Sequence, residues 1–161
     1  MYFPREILPL SVVTSEAVNF LISTLIILGF ILAYGLGITK FVILYPVILL
    51  IQYIVCLGLS LIVSSVTVFF RDLQHFIGVI LQLLFYATPI VYSIQTIPEQ
   101  YRWILKINPM TYIIEGYRDI FYNQCMPDMK MLGIVLAIGI ATCIIGYIIF
   151  NKLQKKFAEE L

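Results

Sequence analysis

The sequence predicts an all-α fold: a polytopic membrane helix bundle with about four transmembrane helices and a short external helical hairpin. Three observations predict it. Hydrophobic residues make up 61% of the 161 positions and charged residues 12%, against roughly 45–50% and about 25% in ordinary globular chains. Mean hydropathy is +1.01, which leaves too little polar surface to cover a folded body in water. Several charge-free runs reach the ~20 residues needed to cross a hydrocarbon layer, whereas 94–130 holds no such run. The whole of 1–161 reads as a single transmembrane domain.

In chain order, Pro4 followed by Arg5 and Glu6 suits the first turn of a helix, and Pro9 limits how far an undistorted one runs. Residues 1–15 are therefore expected to form a short cytoplasmic interface helix, either a solvated lead-in or a surface that touches a partner. They do not have the pattern of a signal peptide. The first span is predicted at 17–38, between Glu16 and Lys40, with Gly35-Leu36-Gly37 loosening its end. The second is predicted at 46–70, opened by Pro46, with small residues in its lower half (Gly58, Ser60, Ser64, Ser65 and Thr67) that allow close helix approach. Arg71-Asp72 turns the chain into a third span at 73–93, interrupted by His75, Gln82 and Pro89. The fourth is predicted at 131–150, where Gly133, Ala137 and Ala141 recur at four-residue spacing as a packing face. A basic tail, 151–161, follows. Four spans put both ends on one side, and the lysines after the last span (Lys152, Lys155, Lys156) place that side in the cytoplasm.

Residues 95–130 form the external hairpin. One helix opens at Pro98, with Glu99 near its positive end. A second opens at Asn108-Pro109, with asparagine as cap and proline in the first helical position. Ile113, Ile114, Tyr117 and Phe121 fall on one apolar stripe, and Glu115 lies within reach of Arg118 at three-residue spacing. Such a hairpin dips into the outer leaflet with its polar side towards water or a cavity. Tyr101, Trp103, Tyr112 and Tyr117 suit the interface, or stack on a passing sugar or lipid headgroup.

The absent chemistry narrows the function. No carboxylate, lysine or arginine lies within the four predicted spans, whereas a proton- or sodium-driven transporter needs a mid-membrane carboxylate. His75 is read as interfacial. There is no Walker-type phosphate loop, metal-ligand spacing or paired-carboxylate site, so no catalytic residue, metal or bound cofactor is assigned. Cys56 and Cys143 read as small core residues and Cys125 as a loop thiol. A net charge of +1 gives no sign of nucleic acid. If this chain moves something, the energy comes from another subunit.

YFPREILPLS at Tyr2–Ser11, FFRDL at Phe69–Leu73, ATPIVYS at Ala87–Ser93 and INPMTYIIEGYRD at Ile107–Asp119 together resemble the membrane subunits of ABC-2 type exporters. The likeness is to the branch exporting polysaccharides such as O-antigen (of lipopolysaccharide) and teichoic acid. The resemblance implies a six-span permease in the bacterial cytoplasmic (inner) membrane. It pairs with a second copy as a homodimer and is driven by a cytoplasmic ATP-binding subunit that carries ATP and Mg. It further implies that Pro4, Arg5 and Glu6, with Arg71 and Asp72, couple to that ATPase. Pro98, Trp103, Asn108, Pro109, Glu115 and Arg118 would belong to an external gate. Phe85, Tyr86 and Tyr92 are expected to line the path of a lipid-linked glycan, such as an undecaprenyl-linked polysaccharide. Set against the family pattern, the chain begins just before the third span, as a fragment, a truncated reading frame or a shortened protein would. The alternatives are an exporter of a drug or small lipid, and a non-transporting membrane scaffold. An enzyme acting on lipid-linked sugars would need a partner arrangement that Glu115, Asp119 and Asp128 lack.

Overall fold

The structure, a computed structural model, describes residues 7–35, 37, 40–88 and 92–159. Its long helices are α1 (Ile7–Ala33), α2 (Tyr45–Phe69), α3 (Leu73–Ala87) and α6 (Met129–Glu159). Two short ones, α4 (Arg102–Ile107) and α5 (Pro109–Arg118), form the hairpin. Among the described residues, three helices are long and apolar enough to cross a membrane: Leu8–Ala33, Lys40–Phe69 and Met129–Lys156. Their outward faces, from Leu21, Leu25 and Phe30 to Ile144 and Ile148, are exposed. Apolar side chains so displayed are what lipid solvates, and the chain is an integral membrane protein.

The pairing of α2 with α6 is the backbone of the fold. A Cβ added at Gly58 would lie 2.8 Å from the Cys143 backbone nitrogen. One added at Gly139 would lie 2.8 Å from Val55 Cγ2, and one at Gly146 3.0 Å from the Gly58 carbonyl oxygen. Cys143 Sγ–H donates to the Ile54 carbonyl across the seam at 3.0 Å. The two helices meet backbone to backbone because small residues stand where they cross. The packing face of α6 is thus Leu132, Val135, Gly139 and Gly146, not the predicted Gly133, Ala137 and Ala141, which are exposed; a Cβ on Gly133 meets nothing. Spacings of three, four and seven residues keep a seam facing its partner. Strict four-residue steps drift round the helix by about 40° each.

Three other expectations change at helix ends. In the described residues α1 runs unbroken from Ile7 past Pro9, which sits in the first described turn. No separate interface helix precedes the span from that point, and residues 1–6 lie outside the described residues. The longer helix therefore carries Glu16, and its 27 residues exceed the ~20 that cross a hydrocarbon layer. Helix α1 stops at Ala33 rather than 38 because Gly35, at φ 74°, takes the left-handed conformation that terminates helices. Helix α3 stops at Ala87, where Thr88, extended at φ −91° and ψ 134°, precedes a proline in the sequence and is barred from the helical region. Its fifteen residues reach about 22 Å, short of the ~30 Å hydrocarbon layer.

Tyr45 hydroxyl meets Thr24 at 2.6 Å and Tyr53 hydroxyl meets Thr14 at 2.9 Å, pinning α1 antiparallel to α2. Helix α3 has no buried residue. It leaves α2 through the Arg71–Asp72 corner, where Leu73, Gln74 and His75 donate their N–H groups to the Phe70, Arg71 and Asp72 carbonyls.

Candidate functional site

The hairpin is wedged into the bundle. Ile113 of α5 and Ile120, in the π-turn Asp119–Asn123 that follows it, are buried. They pack in one core with Ile48, Ile51 and Val55 of α2 and Leu132 and Val135 of α6. The expected apolar stripe is therefore a core face, more deeply held than a helix resting on a leaflet. Tyr117 extends that contact. Its hydroxyl donates to Gln52 Oε1 at 2.6 Å, and its ring sits 5.4 Å from Phe20 and 5.7 Å from Tyr45. Burial pushes the Tyr117 hydroxyl far above the ordinary tyrosine range, which keeps it a donor to the glutamine oxygen.

The two hairpin helices are strapped to each other. Thr111 Oγ1 donates to the Leu105 carbonyl at 2.7 Å, and Tyr112 hydroxyl to the Lys106 carbonyl at 2.7 Å. Arg102 donates to the Ile97 and Gln95 carbonyls, fixing the approach to α4. Asn108 is the joint. Its Oδ1 accepts from the Met110 N–H at 3.0 Å and caps α5, with Pro109 in the first turn. Its Nδ2 donates at 2.8 Å to Oγ1 of Thr88, which is buried at the end of α3 and itself donates to the Leu84 carbonyl.

On the opposite side of α5, Arg118 Nη1 donates to Glu115 Oε1 at 2.9 Å, with both side chains about one quarter exposed. Arg118 Nη2 reaches the Tyr92 carbonyl at 3.4 Å. Burial pushes the Glu115 carboxyl up, Arg118 pulls it back and Asp119 adds to the rise. This pair borders a cleft of about 630 Å³ whose other walls are Ser93, Ile94, Gln95, Tyr122 and Asn123. Two further cavities have less to offer a ligand. One of about 460 Å³, near the Arg71–Asp72 corner, is lined by Ser64 and Thr67, whose hydroxyls donate to carbonyls of their own helix. One of about 380 Å³ between α1 and α2 is mainly apolar, bordered by Val12, Phe20 and Leu49, with Glu16, Gln52, Tyr53 and Cys56 also in its lining.

The predicted site residues are distributed as follows. Pro4, Arg5 and Glu6 lie outside the described residues. Arg71 and Asp72 are exposed at the corner joining the far end of α2 to α3. Phe85 and Tyr86 stand exposed on α3, their rings edge to face at 5.6 Å. Tyr92 closes back on them, its hydroxyl donating to the Tyr86 carbonyl at 2.7 Å. Asn108, Pro109, Glu115 and Arg118 come together round α5, whereas Pro98 and Trp103 are exposed and lie off the cleft. Of the four interfacial aromatics, Tyr101 and Trp103 are exposed, while Tyr112 and Tyr117 are tied into the hairpin and α2. Cys125 is a free, exposed thiol. Sequence reading missed Gln52, Thr88, Tyr122 and Asn123. Gln52 had a signal, being the one amide in the charge-free run from Phe41 to Phe70.

Residues 1–122 match the family model described as ABC-2 type transporter. An O-antigen export system permease protein RfbA of Klebsiella pneumoniae is 38% identical over 160 residues, and a second from that organism is 37% identical over 167. One of Myxococcus xanthus is 36% identical over 161 residues. Each alignment covers 99% of this chain but only 61–62% of the relative, so the chain spans about three-fifths of the length of the curated relatives it matches.

Proposed function

This chain belongs to the ABC-2 type transporter family, and from that membership we propose that it is a permease subunit of an ATP-driven exporter of lipid-linked polysaccharide. One observation carries the reading: 36–38% identity, sustained over 99% of the chain, to permeases named for O-antigen export. The chain contributes no catalysis. ATP and Mg are held by a separate cytoplasmic subunit, and two copies of the permease flank the path across the bacterial inner membrane, with their termini in the cytoplasm.

Coupling runs from the ATPase to Pro4, Arg5 and Glu6 and to the Arg71–Asp72 corner. The hydrogen-bonded chain supports this route. Helix α3 starts at the corner and ends at Thr88, where Asn108 and, through Tyr92, Arg118 tie it to the hairpin. A displacement at the corner is thereby passed along α3 to the hairpin. Phe85, Tyr86 and Tyr92 face the path, and the hairpin bounds its exit.

Gentle affinity purification of the chain from native membranes tests the proposal. An ATP-binding subunit is expected in near-equal amount, and its absence from stable, membrane-inserted protein overturns the reading. Arg5→Glu or Arg71→Glu is expected to leave the complex assembled while uncoupling ATP hydrolysis from export; unchanged export removes the coupling route.

A further inference from the structure

We propose that the cleft beside the Glu115–Arg118 pair is a binding site for an uncharged sugar unit, held by its hydroxyls between the pair and the Ser93–Gln95 wall and packed against the Tyr122 ring. The proposal rests on the export reading for its biological sense, and on the cleft's own chemistry for its ligand.

Size comes first. At about 630 Å³ the cleft falls within the ~300–1,000 Å³ of small-molecule sites. Charge decides the class. Glu115 and Arg118 neutralise each other at 2.9 Å. Asp119, hydrogen-bonded to Asn123 Nδ2 at 2.9 Å, adds a negative charge behind the lining, and Arg102, which donates to the Gln95 carbonyl at 3.2 Å, stands behind the other wall paired with Glu99. A phosphate or a sugar acid would find the lining's cation, Arg118, already paired with Glu115. An uncharged polyol meets no such penalty, and the lining suits it: a hydroxyl at Ser93, amides at Gln95 and Asn123, and a planar carboxylate beside a planar guanidinium. Planar groups of this kind take two adjacent polar atoms at once, the arrangement that neighbouring ring hydroxyls present. Arg118 is also braced on the Tyr92 carbonyl, so the pair is held in place before any ligand arrives, which lowers the ordering cost of binding.

The aromatic wall completes the site. Tyr122 is 68% exposed at the cleft. It follows Phe121, which turns inward against Tyr45 at 5.6 Å. Tyr122 stands four residues after Arg118 and seven after Glu115, on their side of the helix, while Ile120 and Phe121 continue the Ile113–Tyr117 side into the core. A tyrosine at a wet, polar cleft offers one apolar face, and the C–H face of a pyranose ring is its complement.

The test uses the full chain in lipid nanodiscs and saturation-transfer NMR. The probes are methyl α-mannopyranoside, methyl β-galactopyranoside and methyl N-acetyl-β-glucosaminide. Transfer to at least one probe is expected, absent from empty nanodiscs. Tyr122→Ala is expected to weaken it by about tenfold, the scale of one aromatic contact, and Glu115→Gln to weaken it in the same direction. Tyr122→Phe retains the ring and is expected to retain binding. Tyr101→Ala, at an exposed tyrosine outside the cleft, leaves it unchanged. No transfer to any probe, transfer indifferent to Tyr122→Ala, or displacement of the sugar by inorganic phosphate overturns the proposal. The assay needs neither ATP nor a partner. Binding without a co-purifying ATP-binding subunit would keep the site and remove the export reading; a co-purifying subunit without binding would do the reverse.

Discussion

Asn108 serves two helices with one side chain, and its two functions separate by substitution. Its Oδ1 accepts the Met110 N–H at 3.0 Å, while its Nδ2 donates to Thr88 at 2.8 Å. Asn108→Ala removes both. Loss of the cap costs about 1 kcal/mol and loss of a hydrogen bond to a buried hydroxyl about 1 kcal/mol more. Together that is about 2 kcal/mol, or about a thirtyfold rise in local opening. Asn108→Asp keeps the cap acceptor but can no longer donate to Thr88, whose own proton is engaged with the Leu84 carbonyl. Hydrogen exchange of the chain in nanodiscs, read peptide by peptide, distinguishes them. Asn108→Ala is expected to speed exchange both in the first turns of α5 and at the end of α3. Asn108→Asp is expected to speed it at the end of α3 alone, by about fivefold. Equal protection of α5 in wild type and Asn108→Ala would refute the capping argument. An unchanged end of α3 in Asn108→Asp would refute the link.

Three further outcomes follow from the geometry. Gly58→Ala and Gly139→Ala, whose new methyl groups would stand 2.8 Å from atoms of the partner helix, are expected to destabilise the α2–α6 pair by about 1–3 kcal/mol. Gly133→Ala, which meets nothing, is expected to be neutral or slightly stabilising, as thermal melting in detergent would show. Tyr117→Phe leaves Gln52 without its donor and is expected to cost about 1–3 kcal/mol; adding Gln52→Leu recovers part of it, and a double mutant no better than the single would contradict the pairing. For pH, the Glu115 carboxyl is raised on folding. Its protonated form therefore favours the folded state, and that contribution is complete below the ordinary carboxylate range and lost as pH rises through the raised value. Glu115→Gln is expected to flatten this part of the melting profile above the ordinary carboxylate range, and identical profiles would show that another group is responsible.

The sequence made legible what depends on local rules. Charge-free length located the long helices, and Asn108-Pro109 located the start and cap of α5, whereas Pro98 opens a 3-10 turn at Glu99–Tyr101 and α4 starts only at Arg102. What could not be read depends on which faces meet. Gly133, Ala137 and Ala141 have the same composition as a packing face, and only the position of Gly58 on α2 selects Gly139 and Gly146 instead. The end of α1 was ambiguous for a related reason. Either Gly35 or Gly37 satisfies a helix terminator, and Gly35 acts first. The Thr88–Asn108 and Gln52–Tyr117 bonds join residues 20 and 65 positions apart, beyond anything periodicity reports. Tyr122, four residues after Arg118, falls on the polar side by helical spacing alone, so its side was legible and only the cleft it borders was not.

If the cleft borders an exit, as the proposed function has it, the same contacts decide which of its walls yields. Swinging the hairpin outward would draw Ile113 and Ile120 from the core they share with Ile48, Leu132 and Val135. Emptying such a site costs about 2–5 kcal/mol for each large aliphatic side chain. It would also break the Tyr117–Gln52 bond. The facing wall, Tyr92 to Gln95, is joined to α5 by the long Arg118–Tyr92 contact at 3.4 Å and to α4 by the Arg102–Gln95 bond at 3.2 Å, and α3 behind it by the Asn108–Thr88 bond. Releasing these costs about 1–3 kcal/mol for each charged donor and about 1 kcal/mol for the neutral one, and α3 has no buried residue to hold it back. On the proposed export reading the hairpin is therefore the fixed jamb, and the end of α3 is the part expected to move. The Glu115–Arg118 pair stays in register on the fixed side, while the Ser93–Gln95 wall approaches or withdraws from whatever occupies the cleft.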